Sequence, residues 1–201
     1  MSSPKVYVIV GISHAGKSSL VKNTFIRNRT PELKRDLMRY SELDDCILIG
    51  WYGPDFKRRE GTDNIERKHV GLLASQILNL LPLGKDIVLE GVKAISRPMM
   101  NTLIENGIHP VLICLRVSPE TSANRWNQFD KDFPGVQVSK RGIVPPEALG
   151  KDGKKAHNFY NDFKDKLECR LIDTTNVTDF SQFSLDNLCE AEVVEEHHKE
   201  N

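Results

Sequence analysis

The stretch "GISHAGKS", Gly11 to Ser18, sets two glycines, a lysine and a hydroxyl in the order G-x-x-x-x-G-K-[ST]. Gly11 and Gly16 allow the backbone to turn tightly and approach an anion. Backbone N–H groups running through Ser13, His14, Ala15, Gly16, Lys17, Ser18 and Ser19 can then surround a β-phosphate, helped by the N-terminus of the following helix. Lys17 places a point charge against the β- and γ-phosphates, and the Ser18 hydroxyl is a ligand for Mg²⁺. The chemistry is nucleoside triphosphate binding, with ATP and Mg²⁺ as the expected cofactors. The bland alternative is a tight turn that happens to contain Gly-Lys-Ser. An apolar strand-like run before the loop and an amphipathic helical pattern after it speak against that.

Such a loop serves kinases, GTPases and motors alike. No N-K-x-D follows a strand, so GTPase-type guanine recognition is missing. "DFPG", Asp132 to Gly135, fits D-x-x-G, but no strand precedes it. A motor ATPase would show an apolar strand ending in Asp-Glu, whereas the third strand-like run here ends "VLEG", with Glu90 before Gly91.

Glu90 finishes a strand at the end of the sheet where open α/β proteins bind ligands. There it can accept a hydroxyl proton or hold Mg²⁺ through water; the alternative is a strand-end acid facing solvent. Asp63, in "GTD" (Gly61–Asp63), stands just before a helix. With Glu66 three residues on, it resembles a capping arrangement, yet a carboxylate at that place could equally be the general base for an acceptor hydroxyl.

Two basic segments stand out. "RNRTPELKRDLMR", 27–39, holds five basic residues against Glu32 and Asp36. "IGWYGPDFKRREGTDNIERK", 49–68, mixes Lys57, Arg58, Arg59, Arg67 and Lys68 with Trp51, Tyr52 and Phe56. Cations beside aromatics suit a phosphorylated acceptor with a stackable base, a nucleotide or single-stranded DNA. Tyr52, Arg58, Arg59 and Asp63 are the candidate acceptor residues. The alternative is a loop whose aromatics cap the core.

The elements that must position these groups are short. Strand-like runs are "KVYVIV" (Lys5–Val10), "CILIGW" (Cys46–Trp51), "DIVLEG" (Asp86–Gly91), "PVLICLR" (Pro110–Arg116) and "CRLID" (Cys169–Asp173). Their continuous apolar character predicts strands buried on both faces, as in a parallel sheet. Helical patterns alternate with them: 65–81, stopped by Pro82; 98–105; one opened by Ser118 as N-cap with Pro119 at the first position; and a stripe of Ala156, Phe159, Tyr160, Phe163 and Leu167. Strand alternating with helix predicts an α/β doubly wound fold with five mainly parallel strands. The Gly-, Pro- and Lys-rich stretch 129–155 reads as an excursion from it.

The chain has 201 residues, enough for one domain with a full core. No apolar stretch is long enough for a membrane helix, and the N-terminus has no signal-peptide layout, so a cytoplasmic location without a membrane partner is expected. Four cysteines, with no C-x-x-C pair, predict buried thiols. Net charge is zero, but the tail 190–201 carries five acids and one lysine, leaving +4 on 1–189. The tail reads as a solvated end; His197 and His198 within it could bind a metal or serve as polar surface.

The phosphate loop, the "LEG" strand end, "VLICLRVSPETSANRW" and the late "LIDTTN" together resemble the P-loop nucleoside and nucleotide kinases, over roughly residues 5–190. The resemblance implies a three-layer kinase domain over 1–189 with a basic lid at about 129–155, followed by the acidic tail. It implies that Arg125 reaches back to the phosphates, that Lys140 and Arg141 are lid charges, and that the loop 173–176, with Thr174 and Thr175, meets the nucleotide base. The order of a strand, "GWYG", a basic stretch, "GTD" and a helix resembles the hydroxymethyluracil DNA kinases of bacteriophages. Thr62 departs from them, since they carry Gly or Cys there. That resemblance implies phosphorylation of a hydroxymethyl pyrimidine in modified DNA, in the cytoplasm of a host. A free nucleoside, a nucleoside monophosphate or another small metabolite is the alternative acceptor, and a nucleotide-dependent switch with no acceptor is the rival class.

Overall fold

The computed structural model describes residues 3–52, 61–132 and 144–188. The five apolar runs form β1 (Val6–Gly11), β4 (Cys46–Ile49), β5 (Asp86–Glu90), β6 (Val111–Arg116) and β7 (Cys169–Asp173). They pair in parallel in the order β4-β5-β1-β6-β7. The continuous apolar run of β1 follows from burial on both faces: Val6, Val8 and Val10 enter one core and Ile9 the other.

The sheet has seven strands, not five. β2 (Glu32–Arg35) and β3 (Arg39–Glu42) add an antiparallel hairpin beside β4. "ELKR" and "RYSE" carry too few apolar residues to read as strands, because β2 is a polar edge strand that needs no second buried face. Of the two, only β3 contributes buried residues, Tyr40 and Ser41.

Helices cover both faces. α1 (Lys17–Val21) continues into a π-helical turn, Lys22–Ile26. α2 (Leu73–Leu80), α3 (Arg97–Glu105) and most of α5 (Pro146–Phe163) pack on the face that receives Val6, Val8 and Val10. α1 and α4 (Pro119–Asp132) pack on the other, with the chain leading into α6 (Leu185–Leu188). Three layers result.

The single helix expected over 65–81 is broken up: 3₁₀ turns at Thr62–Asn64, Arg67–Leu72 and Leu81–Leu83 flank a short α2. The expected excursion 129–155 is shorter, since α4 runs to Asp132 and α5 starts at Pro146, ten residues before the stripe that signalled it. Gly150 and Gly153 hid that start; α5 there buries Leu149. Ser118 caps α4 as expected, accepting from Thr121 N at 3.1 Å, and Ser96 caps α3 through Met99 N at 3.3 Å.

Cys46 and Cys114 are buried thiols and Cys169 is half-buried; burial pushes the first two up to about 12 and the third to about 11. No helix among the described residues is long and apolar enough to cross a membrane.

Candidate functional site

Chain direction around the sheet reverses at β1: the chain after β1 forms β2 to β5 on one side, whereas β6 and β7 lie on the other. Ligands bind at such a switch point, beyond the carboxyl ends of the strands. The loop Gly11–Ser18 leaves β1 there. Register sets Ile9 beside Glu90 and Gly11 beside Leu115, so the loop rises between the ends of β5 and β6.

Lys17 is 7% exposed and lies under the loop. Its ammonium donates to the carbonyls of Gly11 at 3.1 Å and Ile12 at 2.8 Å. An ammonium has three hydrogens, so one remains for a phosphate oxygen. Ser18 donates its hydroxyl hydrogen to Glu90 Oε1 at 2.9 Å, and Glu90 is 2% exposed. The hydroxyl oxygen keeps its lone pairs. A Mg²⁺ ion bound to phosphates needs few protein ligands, and Ser18 with Glu90 beside it fits that need. Among the described residues no group of three or more His, Cys, Asp or Glu could hold a metal by itself.

The "GTD" turn closes on the same carboxylate. Gly61 has φ 63°, and a Cβ there would lie 2.6 Å from Glu90 Oε1. Only glycine permits that approach. Thr62 is fully buried, and its hydroxyl donates to the Glu90 carbonyl at 2.8 Å. Asp63 does not cap its own helical turn. Its Oδ1 accepts from Val92 N, at 3.1 Å, in the turn that follows β5. Oδ2 makes no hydrogen bond among the described residues, and the side chain is half-buried. Lys93 donates to the carbonyls of Asp63, at 2.9 Å, and Ile65. Two acids, Glu90 and Asp63, are thus fastened to one another through Thr62 and the end of β5.

The far side of the loop is held by α4 and by the chain after β7. Ser122 Oγ donates to the Ser13 carbonyl at 2.6 Å, Arg125 to the His14 carbonyl at 3.3 Å, and Thr174 Oγ1 to the Ala15 carbonyl at 3.0 Å. Arg125 also donates to the carbonyls of Thr174 and Val177, both at 2.6 Å, and stacks over the Phe180 ring at 5.0 Å. Its guanidinium therefore ties the post-β7 loop to the phosphate loop. Burial lowers its pKa. Thr174 is 0% exposed, and its one hydroxyl hydrogen is shared between the Ala15 and Arg116 carbonyls, each at 3.0 Å, so the hydroxyl supports the loop. Thr175 Oγ1 accepts from Ser118 N at 3.1 Å.

The His14 ring packs on Trp126, with ring centres 4.9 Å apart, and on Phe129 at 5.7 Å. Burial, reinforced by the charges of Lys17 and Arg125, pulls its pKa down to about 4, so the ring is neutral near pH 7. His14 has φ 57°. Phe180 covers the other glycine of the loop: a Cβ on Gly16, at φ 92°, would fall 2.2 Å from its ring.

On the acceptor side, Tyr52 is 3% exposed, part of the core on the α1 face, with its backbone N donating to Ser41 Oγ at 3.0 Å. It is a packing residue, not an exposed stacking platform. In 27–39, Arg27 pairs with Asp186, Arg29 with Asp45, and Lys34 with Glu32 and Glu42. Arg35 and Arg39 face each other across the β2–β3 ladder. Arg58, Arg59, Lys140, Arg141 and the acidic tail lie outside the described residues.

Sequence reasoning missed Ser122, Thr62, Lys93 and Phe180. Ser122 had a signal: with Arg125, Trp126 and Phe129 it makes an i, i+3, i+4, i+7 row on α4. Phe180 had none, because nothing in "NVTDFSQFS" announces that this segment folds back over Gly16.

No protein-family model matches the chain, and no curated protein sequence matches it. Among solved structures, the chain is similar to deoxyadenosine kinase from M. mycoides with bound dCTP, with a TM-score of 0.41 and 17% sequence identity over 89% of this chain and 95% of that one.

Proposed function

We propose that the chain is a Mg²⁺-dependent kinase that transfers the γ-phosphoryl group of ATP to a hydroxyl of a nucleoside-type acceptor. The observation that carries this is the Ser18–Glu90 hydrogen bond of 2.9 Å, directly beside the buried Lys17, at the switch point of the sheet. A phosphate cradle and a metal-side carboxylate stand together there, with a second carboxylate close by.

In this reading the Gly11–Ser19 backbone and Lys17 hold the triphosphate. Ser18 and Glu90 would hold Mg²⁺, which when bound would supply charge neutralisation for the phosphates. Asp63 takes the proton of the acceptor hydroxyl through Oδ2. The acceptor oxygen bonds to the γ-phosphorus as the bond to the bridging oxygen breaks, and ADP leaves.

For the acceptor, a hydroxymethyl pyrimidine in DNA is supported by the "GWYG" to "GTD" pattern and by the facing Arg35 and Arg39. A free nucleoside is supported by the internal pairing of Arg27, Arg29 and Lys34, which leaves fewer cations for a DNA backbone. Of the two we favour the small nucleoside-type acceptor. The test is a labelled-ATP assay against nucleosides, nucleoside monophosphates and hydroxymethylated DNA. Label on a nucleoside or monophosphate supports this choice, label in DNA selects the other acceptor, and acceptor-independent release of phosphate alone removes the kinase reading.

A further inference from the structure

Every carbonyl from Gly11 to Ala15 accepts a hydrogen bond from a side chain: Lys17 for Gly11 and Ile12, Ser122 for Ser13, Arg125 for His14 and Thr174 for Ala15. A trans peptide is planar, and its C=O and N–H point in opposite directions. Fixing the carbonyl of one residue therefore aims the N–H of the next. Holding Ile12, Ser13 and Ala15 aims the N–H groups of Ser13, His14 and Gly16 away from the protein body. Among the described residues those three, together with the N–H groups of Lys17 and Ser18, donate no hydrogen bond. The Ala15 N–H, by contrast, bonds the Ile12 carbonyl at 3.3 Å.

Three of the holding groups come from outside the motif. Ser122 and Arg125 sit on α4, and Thr174 follows β7. Ser122 and Thr174 are each 0% exposed. A buried hydroxyl needs a partner, and both hydroxyls find theirs in the same loop, at the Ser13 and Ala15 carbonyls.

We infer that Ser122, acting with Thr174, is a positioning residue that sets the peptide planes of the phosphate loop so that its N–H groups converge on the polyphosphate. This rests on the triphosphate reading of the loop. The N–H groups do the binding; Ser122 acts through the Ser13–His14 peptide and touches no ligand. Preorganised donors need no reordering when the anion arrives, which is how a fixed backbone gains affinity for it.

The test is calorimetric titration of the full chain with inorganic tripolyphosphate, for the wild type, Ser122→Ala and Ser122→Thr, with melting curves alongside. The expected result is about five- to tenfold weaker binding for Ser122→Ala and recovery in Ser122→Thr, which retains the hydroxyl. Steady-state assays should show the same change in KM for ATP with a smaller change in kcat. Wild-type affinity in a folded Ser122→Ala overturns the inference while leaving the nucleotide reading intact. A wild type that binds no tripolyphosphate removes the nucleotide reading and the inference with it. Where Ser122→Ala melts below the assay temperature, Thr174→Ser and Thr174→Val make the same comparison at the Ala15 carbonyl, and a valine variant of wild-type affinity overturns the inference.

Discussion

The Ser18 hydroxyl lies 2.9 Å from Glu90 Oε1, joining the first turn of α1 to the last residue of β5. A buried carboxylate needs such partners, and this one comes from the residue whose oxygen would face Mg²⁺. Glu90→Gln keeps an acceptor for the Ser18 hydrogen but removes the charge. The Mg²⁺ concentration for half-maximal activity should rise about 10- to 100-fold, with the melting temperature little changed. An unchanged magnesium dependence would take Glu90 away from the metal.

Asp63 is predicted to matter for rate and not for folding. In Asp63→Asn the side-chain oxygen can still accept from Val92 N, so the turn after β5 stays tied. The lost function is proton acceptance, worth about 10²- to 10⁴-fold in kcat, with ATP affinity retained. A variant that melts earlier but turns over normally would reduce Asp63 to a structural tie.

His14 makes stability depend on pH in a stated window. In the unfolded chain it titrates near the usual 6.5, and in the folded protein near 4. Between those values the unfolded state binds more protons, so stability falls as pH drops from 6.5 toward 4, and His14 adds nothing further below that. Melting temperatures of the wild type and His14→Asn, measured from pH 7 down to about 4, check this. Asparagine tolerates the positive φ. The wild type should lose more over the window than the variant; parallel curves would contradict the neutral, buried ring.

The phosphate loop and the five parallel strands were legible because both rest on local pattern: a fixed spacing in the one, apolar runs bounded by turn residues in the other. The strand-end position of Glu90 followed from the same pattern. The β2–β3 hairpin was not legible, since "ELKR" is held by pairing with β3 and buries no face, and "RYSE" buries only Tyr40 and Ser41. The protein partners of Arg125, Thr174 and Tyr52 were not legible for a related reason. Sequence places a side chain on an element, but whether its polar atoms face a ligand or a neighbouring carbonyl depends on contacts between distant segments. The Thr174–Ala15 bond, between the chain after β7 and the chain after β1, is of that kind.

In the proposed reaction Lys17 is the charge that stabilises the transferring phosphoryl group. The direct measurement is γ-phosphoryl transfer under single-turnover conditions by the wild type and Lys17→Ala, with a melting curve to show that the variant is folded. The expected result is a fall of about 10²-fold or more in the transfer rate. Near-normal transfer by a folded Lys17→Ala would contradict it.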